Sequence, residues 1–164
     1  MSKRNITIAV LVVVLIGGWY AFRPERLFVD ATVNEPLSAA IAATPGGDAA
    51  LMSLAEGQFH TNAHETKGTA TVLAVGGGMR ILRLTNFATS NGPDVRVYLV
   101  AAPDVNDDAT VKTAKFVELG VLKGNIGDQN YDIPESVDLS VYRTVTIWCK
   151  RFGVNFGSAP LKAS

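Results

Sequence analysis

The chain has 164 residues, and its 15 lysines and arginines balance 15 aspartates and glutamates. This length fits one domain of ordinary size. The zero formal charge lacks the basic excess that nucleic-acid partners favour, so we predict no nucleic-acid partner. The single cysteine excludes an intramolecular disulfide and any zinc site built on several cysteines.

The first feature along the chain is an apolar run from Ile6 to Phe22. Its length lies at the lower limit of the roughly 17–25 residues that a membrane-spanning helix needs. Trp19 and Tyr20 stand near its end, where an interfacial aromatic belt would lie. We therefore predict an uncleaved signal anchor, a transmembrane helix over residues 1–22 that contacts the membrane through residues 6–22.

A cleaved signal peptide is the alternative for this segment, because it too has a basic start and an apolar core. It requires small residues before the cleavage point, whereas "GGWYAF" places bulky rings there. The positive-inside count is nearly tied, with Lys3 and Arg4 on one side and Arg23 and Arg26 on the other. We predict a single-pass membrane protein with an extracytoplasmic C-terminal domain, since one anchor at the start normally exports the rest of the chain.

Residues 23–55 have a different composition and predict a linker that is partly helical. The stretches "PLSAAIAA" and "DAALMSLA" are candidates for short helices, and "TPGG" separates them. No long periodic apolar face accompanies them. The earlier stretch "LFVDATVNE" is either part of a tether that holds the domain off the membrane or a segment that packs on the domain.

From residue 56 onward, apolar and polar residues alternate in short stretches. In "DVRVYLV", Val95, Val97 and Leu99 share one face of a strand. Turn signals such as "NGPD" and "KGNIGD" separate the stretches. Many short strands at this spacing predict an all-β domain, a single β-sandwich or a barrel-like fold, over residues 56–164. The other candidate strands are residues 68–75, 79–87, 114–120, 129–134, 143–150 and 153–157.

Four stretches of this domain together resemble the DM-thirteen domain, also called the electron-transfer DM-thirteen domain. They are "GQFHTNAHETKGTATV", "ILRLTNFATSNGPDVRVYL", "VELGVLKGNIGDQNYDIP" and "VTIWCKRFGVNFGSAPL", and they extend from Gly57 to Leu161. The resemblance implies a β-rich extracytoplasmic module that accompanies redox proteins. It also implies that Cys149, which occupies the family's cysteine position in "IWC", is a candidate redox centre.

The residues around Cys149, considered without the family resemblance, allow two interpretations of this thiol. Alternation along "VTIWC" places Val145, Ile147 and Cys149 on one strand face and Thr146 and Trp148 on the other. On that apolar face a free cysteine behaves as a small buried hydrophobe. As a reactive group it could ligate a metal or a haem, relay one electron or link to another molecule, but it has no resolving cysteine in the chain.

His60 and His64 are weak candidates for metal ligands, alone or together with Cys149. An H-x3-H pair binds zinc when both rings lie on one helical face, but here the pattern predicts a strand followed by a loop. A surface or turn role is the alternative. The acidic stretch "PDVNDD" predicts a solvated turn, because it lacks the ligand spacing of a calcium loop.

These features support two candidate functions. The first is a membrane-anchored redox or electron-transfer accessory module in which Cys149 is central and a redox protein is the partner. The alternative is a non-catalytic binding or interaction module in which Cys149 is structural. No Ser/His/Asp order or carboxylate pair indicates a hydrolase, so a stand-alone enzyme is the less favoured class.

Overall fold

The computed structural model describes residues 2–22, 29–38, 51–75 and 78–164. In this part of the chain, two antiparallel five-stranded sheets form a β-sandwich, which confirms the predicted all-β fold. The first sheet has the strand order β10-β1-β3-β4-β7, and the second has the order β2-β9-β8-β5-β6. The elements are α1 Lys3–Phe22, β1 Met52–Gln58, β2 His60–Thr61, β3 Lys67–Ala74, β4 Arg80–Ala88, β5 Val95–Val100, α2 Asp108–Thr113, β6 Phe116–Val121, β7 Gln129–Ile133, β8 Thr144–Cys149, β9 Val154–Pro160 and β10 Lys162–Ala163.

The main core lies between the two sheets and follows the period-2 alternation of the strands. Val97 and Leu99 on β5 are fully buried there, as the alternation predicts. Leu82 and Leu84 from the facing sheet meet them from the other side. Burial of such aliphatic side chains stabilises the fold by roughly 1.5–3 kcal/mol each.

A second, smaller core lies on the outer face of the second sheet. Tyr98 and Trp148 project from that face and are 2% and 6% exposed. The connection between β5 and β6 covers them with Val105 and Val111. This connection contains α2, whose first turn is capped because the Asp107 side chain accepts a hydrogen bond from the Thr110 backbone N–H at 2.7 Å.

Strand β1 corrects one expectation of the sequence. Where "DAALMSLA" predicts a short helix, a strand begins at Met52 and pairs with β3 on one side and β10 on the other. Tertiary pairing overrides the helix propensity of Ala, Leu and Met. Position 57 in this strand requires a glycine, because a Cβ there would collide with the Pro160 carbonyl oxygen. Of the other predicted helix, residues 36–43, the structure describes residues 36–38, of which 37 and 38 are helical. Its remaining residues lie outside the described part of the chain.

Residues 29–36, here called the docked segment, pack on the loop between β6 and β7. The Val33 and Glu35 backbone N–H groups donate to the Ile126 and Asp128 carbonyls, each at 2.9 Å. Gly124 permits this approach, because a Cβ there would collide with a carbonyl of the docked segment. Of the two interpretations of this stretch, the structure shows packing on the domain. The predicted domain limits at residues 22 and 55 stay predictions.

Helix α1 is the one described helix that is long and apolar enough to cross a membrane by length and composition. Its large apolar side chains, such as Leu15 and Ile16, are exposed rather than packed on protein. A helix that is apolar on every side finds its favourable surroundings in a bilayer or in a protein core. A signal sequence near the N-terminus would satisfy the same description.

Candidate functional site

Cys149 is the last residue of β8 and stands at one end of the sandwich. The loops 89–94, 122–128 and 150–153 form this end, which we call the tether end because the docked segment lies on it. Backbone hydrogen bonds join its loops to one another and to β5: the Lys150 N–H donates to the Asp94 carbonyl at 2.8 Å. Cys149 therefore lies at the loop-bearing end of β8, the central strand of the second sheet.

The Cys149 side chain faces the main core on the same side as Val145 and Ile147, as the alternation predicts. The residue is 0% exposed and belongs to the apolar cluster between the sheets. Its cross-strand neighbours are Val95 on β5 and Val154 on β9. Among the described residues, its Sγ has no hydrogen-bond partner. A thiol in these surroundings packs as a small hydrophobe.

The cation that follows Cys149 does not turn toward the sulfur. The Lys150 Nζ donates to the Glu118 Oε2 at 3.1 Å, on the outer side of the second sheet. Cations activate a thiol only when their charge approaches it. The Lys150 ammonium group is therefore directed toward Glu118 and not toward the Cys149 sulfur.

The surroundings of Cys149 do not fit a bound metal or haem in this fold. The sulfur is enclosed by apolar side chains and leaves no open position for a ligand. In the described part of the chain, no three His, Cys, Asp or Glu side chains come together in a group that could hold a metal ion. A haem or metal at Cys149 would require the strand ends to separate.

The two histidines have separate partners. The His60 Nε2 lies 2.9 Å from the Asp104 Oδ1, and the His64 ring packs on the Phe156 ring with centroids 4.0 Å apart. Burial by itself would raise the pKa of Asp104, but the hydrogen bond with His60 and that from the Val105 N–H hold it below its usual value. The metal-ligand role of His60 and His64 stays a prediction.

A charged cluster on the outer face of the second sheet was not predicted from the sequence. Arg96 bridges Asp94 at 2.6 Å and Glu118 at 2.7 Å, and the Tyr98 hydroxyl donates to Glu118 at 3.4 Å. Burial would raise the pKa of Glu118, but the Lys150 hydrogen bond and the Arg96 charge outweigh it and lower the pKa. The alternation in "DVRVYLV" places Arg96 and Tyr98 on one face, but only the pairing of β5 with β6 adds Glu118.

Burial and the nearby negative charge of Glu118 also raise the pKa of Tyr98 to about 12. The Tyr98 ring stacks on Phe116 with centroids 4.5 Å apart and an interplanar angle of 2°. Tyr98 therefore stays a neutral hydrogen-bond donor at any ordinary pH. Its role in this cluster is to hold the carboxylate of Glu118 in place.

A cleft of about 470 Å³ opens at the tether end. Its walls include Val29 from the docked segment, Asn91, Val121 and Val95. Val95 is also the cross-strand neighbour of Cys149. Val95 therefore both lines the cleft and pairs with the residue that carries the buried thiol.

Comparison with known proteins assigns this sandwich to a family. A family model described as electron transfer DM13 matches residues 58–161. The chain belongs to the electron-transfer DM13 family. The DM13 match contains the eight strands from β2 to β9 and Cys149, and it leaves out α1, the docked segment, β10 and all of β1 except Gln58. No match was found among the curated proteins or among the solved structures.

Proposed function

We propose that this protein is a membrane-tethered, extracytoplasmic redox module that takes part in electron transfer with a redox protein partner. The observation that carries the proposal is the DM13 match, which covers eight of the ten strands of the sandwich, from β2 to β9.

The membrane part of the proposal is supported by α1. Its exposed apolar surface would be unfavourable in water, and a bilayer removes that cost. The extracytoplasmic placement is supported by the family resemblance and by the usual behaviour of a single N-terminal anchor. A domain with one buried cysteine also tolerates an oxidising compartment.

Cys149 is the proposed redox residue, because it is the cysteine that the DM13 resemblance marks. Its complete burial limits how it could act, since a partner cannot contact the Sγ in the closed fold. Thiol–disulfide exchange needs attack by an accessible thiolate. A redox role for Cys149 therefore requires opening of the strand end, because oxidation of a thiol releases its proton and the closed apolar core provides no acceptor for it.

A second candidate function is a non-catalytic binding module with a structural Cys149. The specific observation in its favour is that the thiol packs in the apolar core and has no hydrogen-bond partner in the described part of the chain. In that case the cleft at the tether end is the binding site, and the cysteine supports its wall through Val95.

The experiment that separates the two functions is a redox titration of the full-length chain in detergent with one-electron mediators. An absorption spectrum and elemental analysis of the same sample report any bound chromophore or metal. The variants are Cys149→Ala and Cys149→Ser. Val145→Ala is the matched control, because it truncates a buried side chain on the same face of β8.

The electron-transfer proposal expects a reversible redox transition that both Cys149 variants lose and Val145→Ala keeps. A transition that survives in folded Cys149→Ala places the redox centre elsewhere and makes Cys149 structural. A wild-type chain with no transition, chromophore or metal contradicts electron transfer and leaves the binding module.

The membrane part has a separate test. The full-length chain should remain in the membrane fraction after carbonate extraction, and protease added from outside should digest the domain while the cytoplasmic end stays protected. Mature protein without residues 1–22 would show that α1 is a cleaved signal peptide.

A further inference from the structure

The link between the membrane helix and the sandwich is much shorter than the sequence suggests. Residues 23–55 predict a linker, but the docked segment is fixed to the domain from Val29 onward. Only residues 23–28 connect it to the last residue of α1, Phe22. A trans chain spans at most about 3.3–3.6 Å per residue, so Val29 lies within roughly 25 Å of the end of α1.

The start of the docked segment is held firmly at the tether end. The Asn91 side-chain amide donates to the Val29 carbonyl at 3.0 Å. The Asn125 amide donates to Asp30 at 2.8 Å, and its oxygen accepts from the Ala31 N–H at 2.7 Å. These bonds tie the segment to two loops of the tether end, so the short link leads to this end and not to the opposite one.

The tether end also exposes apolar side chains. Phe152 in the turn between β8 and β9 is 65% exposed, Val29 is 63% exposed and Val121 is 55% exposed. Phe152 directly follows Lys150 and Arg151 in the sequence. An aromatic side chain next to basic residues suits the interface of a bilayer, where the ring enters the headgroup region and the charges stay in water.

We propose that the tether end faces and contacts the lipid bilayer, with Phe152 as its main apolar contact. The inference rests on the proposed membrane anchoring and adds the orientation of the sandwich. The cleft and the end of β8 that carries Cys149 then lie on the membrane side of the domain. The loop 134–143, between β7 and β8 at the opposite end, points away from the membrane.

The first test uses the unmodified full-length chain in phosphatidylcholine vesicles that contain a photoactivatable lipid. After illumination, mass spectrometry maps the residues that carry lipid. We expect lipid on residues 150–153 and none on residues 135–142. Equal modification of both loops, or modification of the second loop alone, would overturn the orientation.

A matched pair of fluorophore sites gives the second test. Phe152→Cys and Val141→Cys each replace an exposed apolar residue, one at each end of the sandwich. Each is made in a Cys149→Ala background so that the label has one site. With spin-labelled lipids, the label at position 152 should be quenched and shifted to shorter wavelength, and the label at position 141 should not. Equal quenching at both positions contradicts the proposal.

Vesicle flotation separates the two proposals. A chain that does not float with vesicles ends the proposed anchoring, and the orientation fails with it. A chain that floats but shows no difference between positions 152 and 141 keeps the anchor and loses the orientation.

Discussion

The two faces of strands β5 and β8 are both buried, but by different means. The inner face presents only apolar side chains, including Val97, Ile147 and Cys149, to the facing sheet. The outer face mixes aromatic and polar side chains under the β5–β6 connection. There the Thr144 hydroxyl donates to the Ala102 carbonyl at 2.8 Å, and Arg96 makes two ion pairs.

The difference shows where polar chemistry is supported in this domain. On the outer face, charged and hydroxyl groups have partners, so burial costs them little. On the inner face, a charge would have no partner and would be costly to bury. Cys149 lies on the inner face, among apolar side chains.

The largest effect is expected from a charge on the inner face. Val97→Asp places an unpaired carboxylate in the main core, where Val97 is 0% exposed, and should prevent folding. Arg96→Ala, its neighbour on the outer face, should cost about 1 kcal/mol because it removes partly exposed ion pairs. Circular dichroism and thermal unfolding measure both. Equal effects would mean that the two faces do not differ.

Removal of the large aromatic group on the outer face should have the next largest effect. Trp148→Ala should lower the free energy of unfolding by about 3–5 kcal/mol, because removal of the indole ring leaves a cavity in the second core, under α2. Phe116→Ala is the control, since Phe116 is 47% exposed and contacts Tyr98 by stacking. We expect it to cost roughly 0.5–1.5 kcal/mol. A loss from Trp148→Ala no greater than this would contradict the second core.

Cys149 should give a smaller effect that depends on the polarity of the replacement. Cys149→Ala should cost about 1 kcal/mol or somewhat more, as a small cavity in the core. Cys149→Ser should cost more than alanine, because a buried hydroxyl without a partner costs about 1–3 kcal/mol. Chemical denaturation measures the difference. A serine variant as stable as wild type would mean that the inner face holds a polar partner at this position.

The same burial predicts slow labelling of Cys149 in the native protein. A thiol reagent should modify Cys149 only after denaturation, since the side chain is 0% exposed. Val141→Cys in a Cys149→Ala background, 47% exposed in the wild type, is the rapid control. Labelling of both positions at one rate would show that the end of β8 opens readily.

The smallest effect is a pH dependence from the outer face. The pKa of Glu118 is lowered in the fold, so its ionised form stabilises the domain above the unfolded pKa. That stability is lost as the pH falls below the ordinary glutamate pKa of 4.5 and through the lower folded pKa. Glu118→Gln should flatten this part of the melting profile, and Lys150→Ala should flatten it less. An unchanged profile in Glu118→Gln would contradict the shift.

Much of the sandwich could be predicted from the sequence, since alternation is a local property. The strands from Lys67 to Cys149 lie within a few residues of their predicted limits. The inward direction of Val97 and Cys149 was predicted in the same way. Strand β1 was not, because Met52–Gln58 has no strong alternation and becomes a strand only through its two neighbours.

The sequence by itself determined the fold class, the apolar N-terminal helix, the DM13 membership and the face on which Cys149 lies. The fold class, the helix and the strand face depend on local composition and on patterns along one strand, whereas the DM13 membership depends on motifs spread over residues 58–161. Only the tertiary structure decided which groups meet across the chain. It brought Glu118 to Arg96, His60 to Asp104 and the docked segment to the tether end. Contacts between residues far apart in sequence depend on strand pairing and loop packing, which no local pattern encodes.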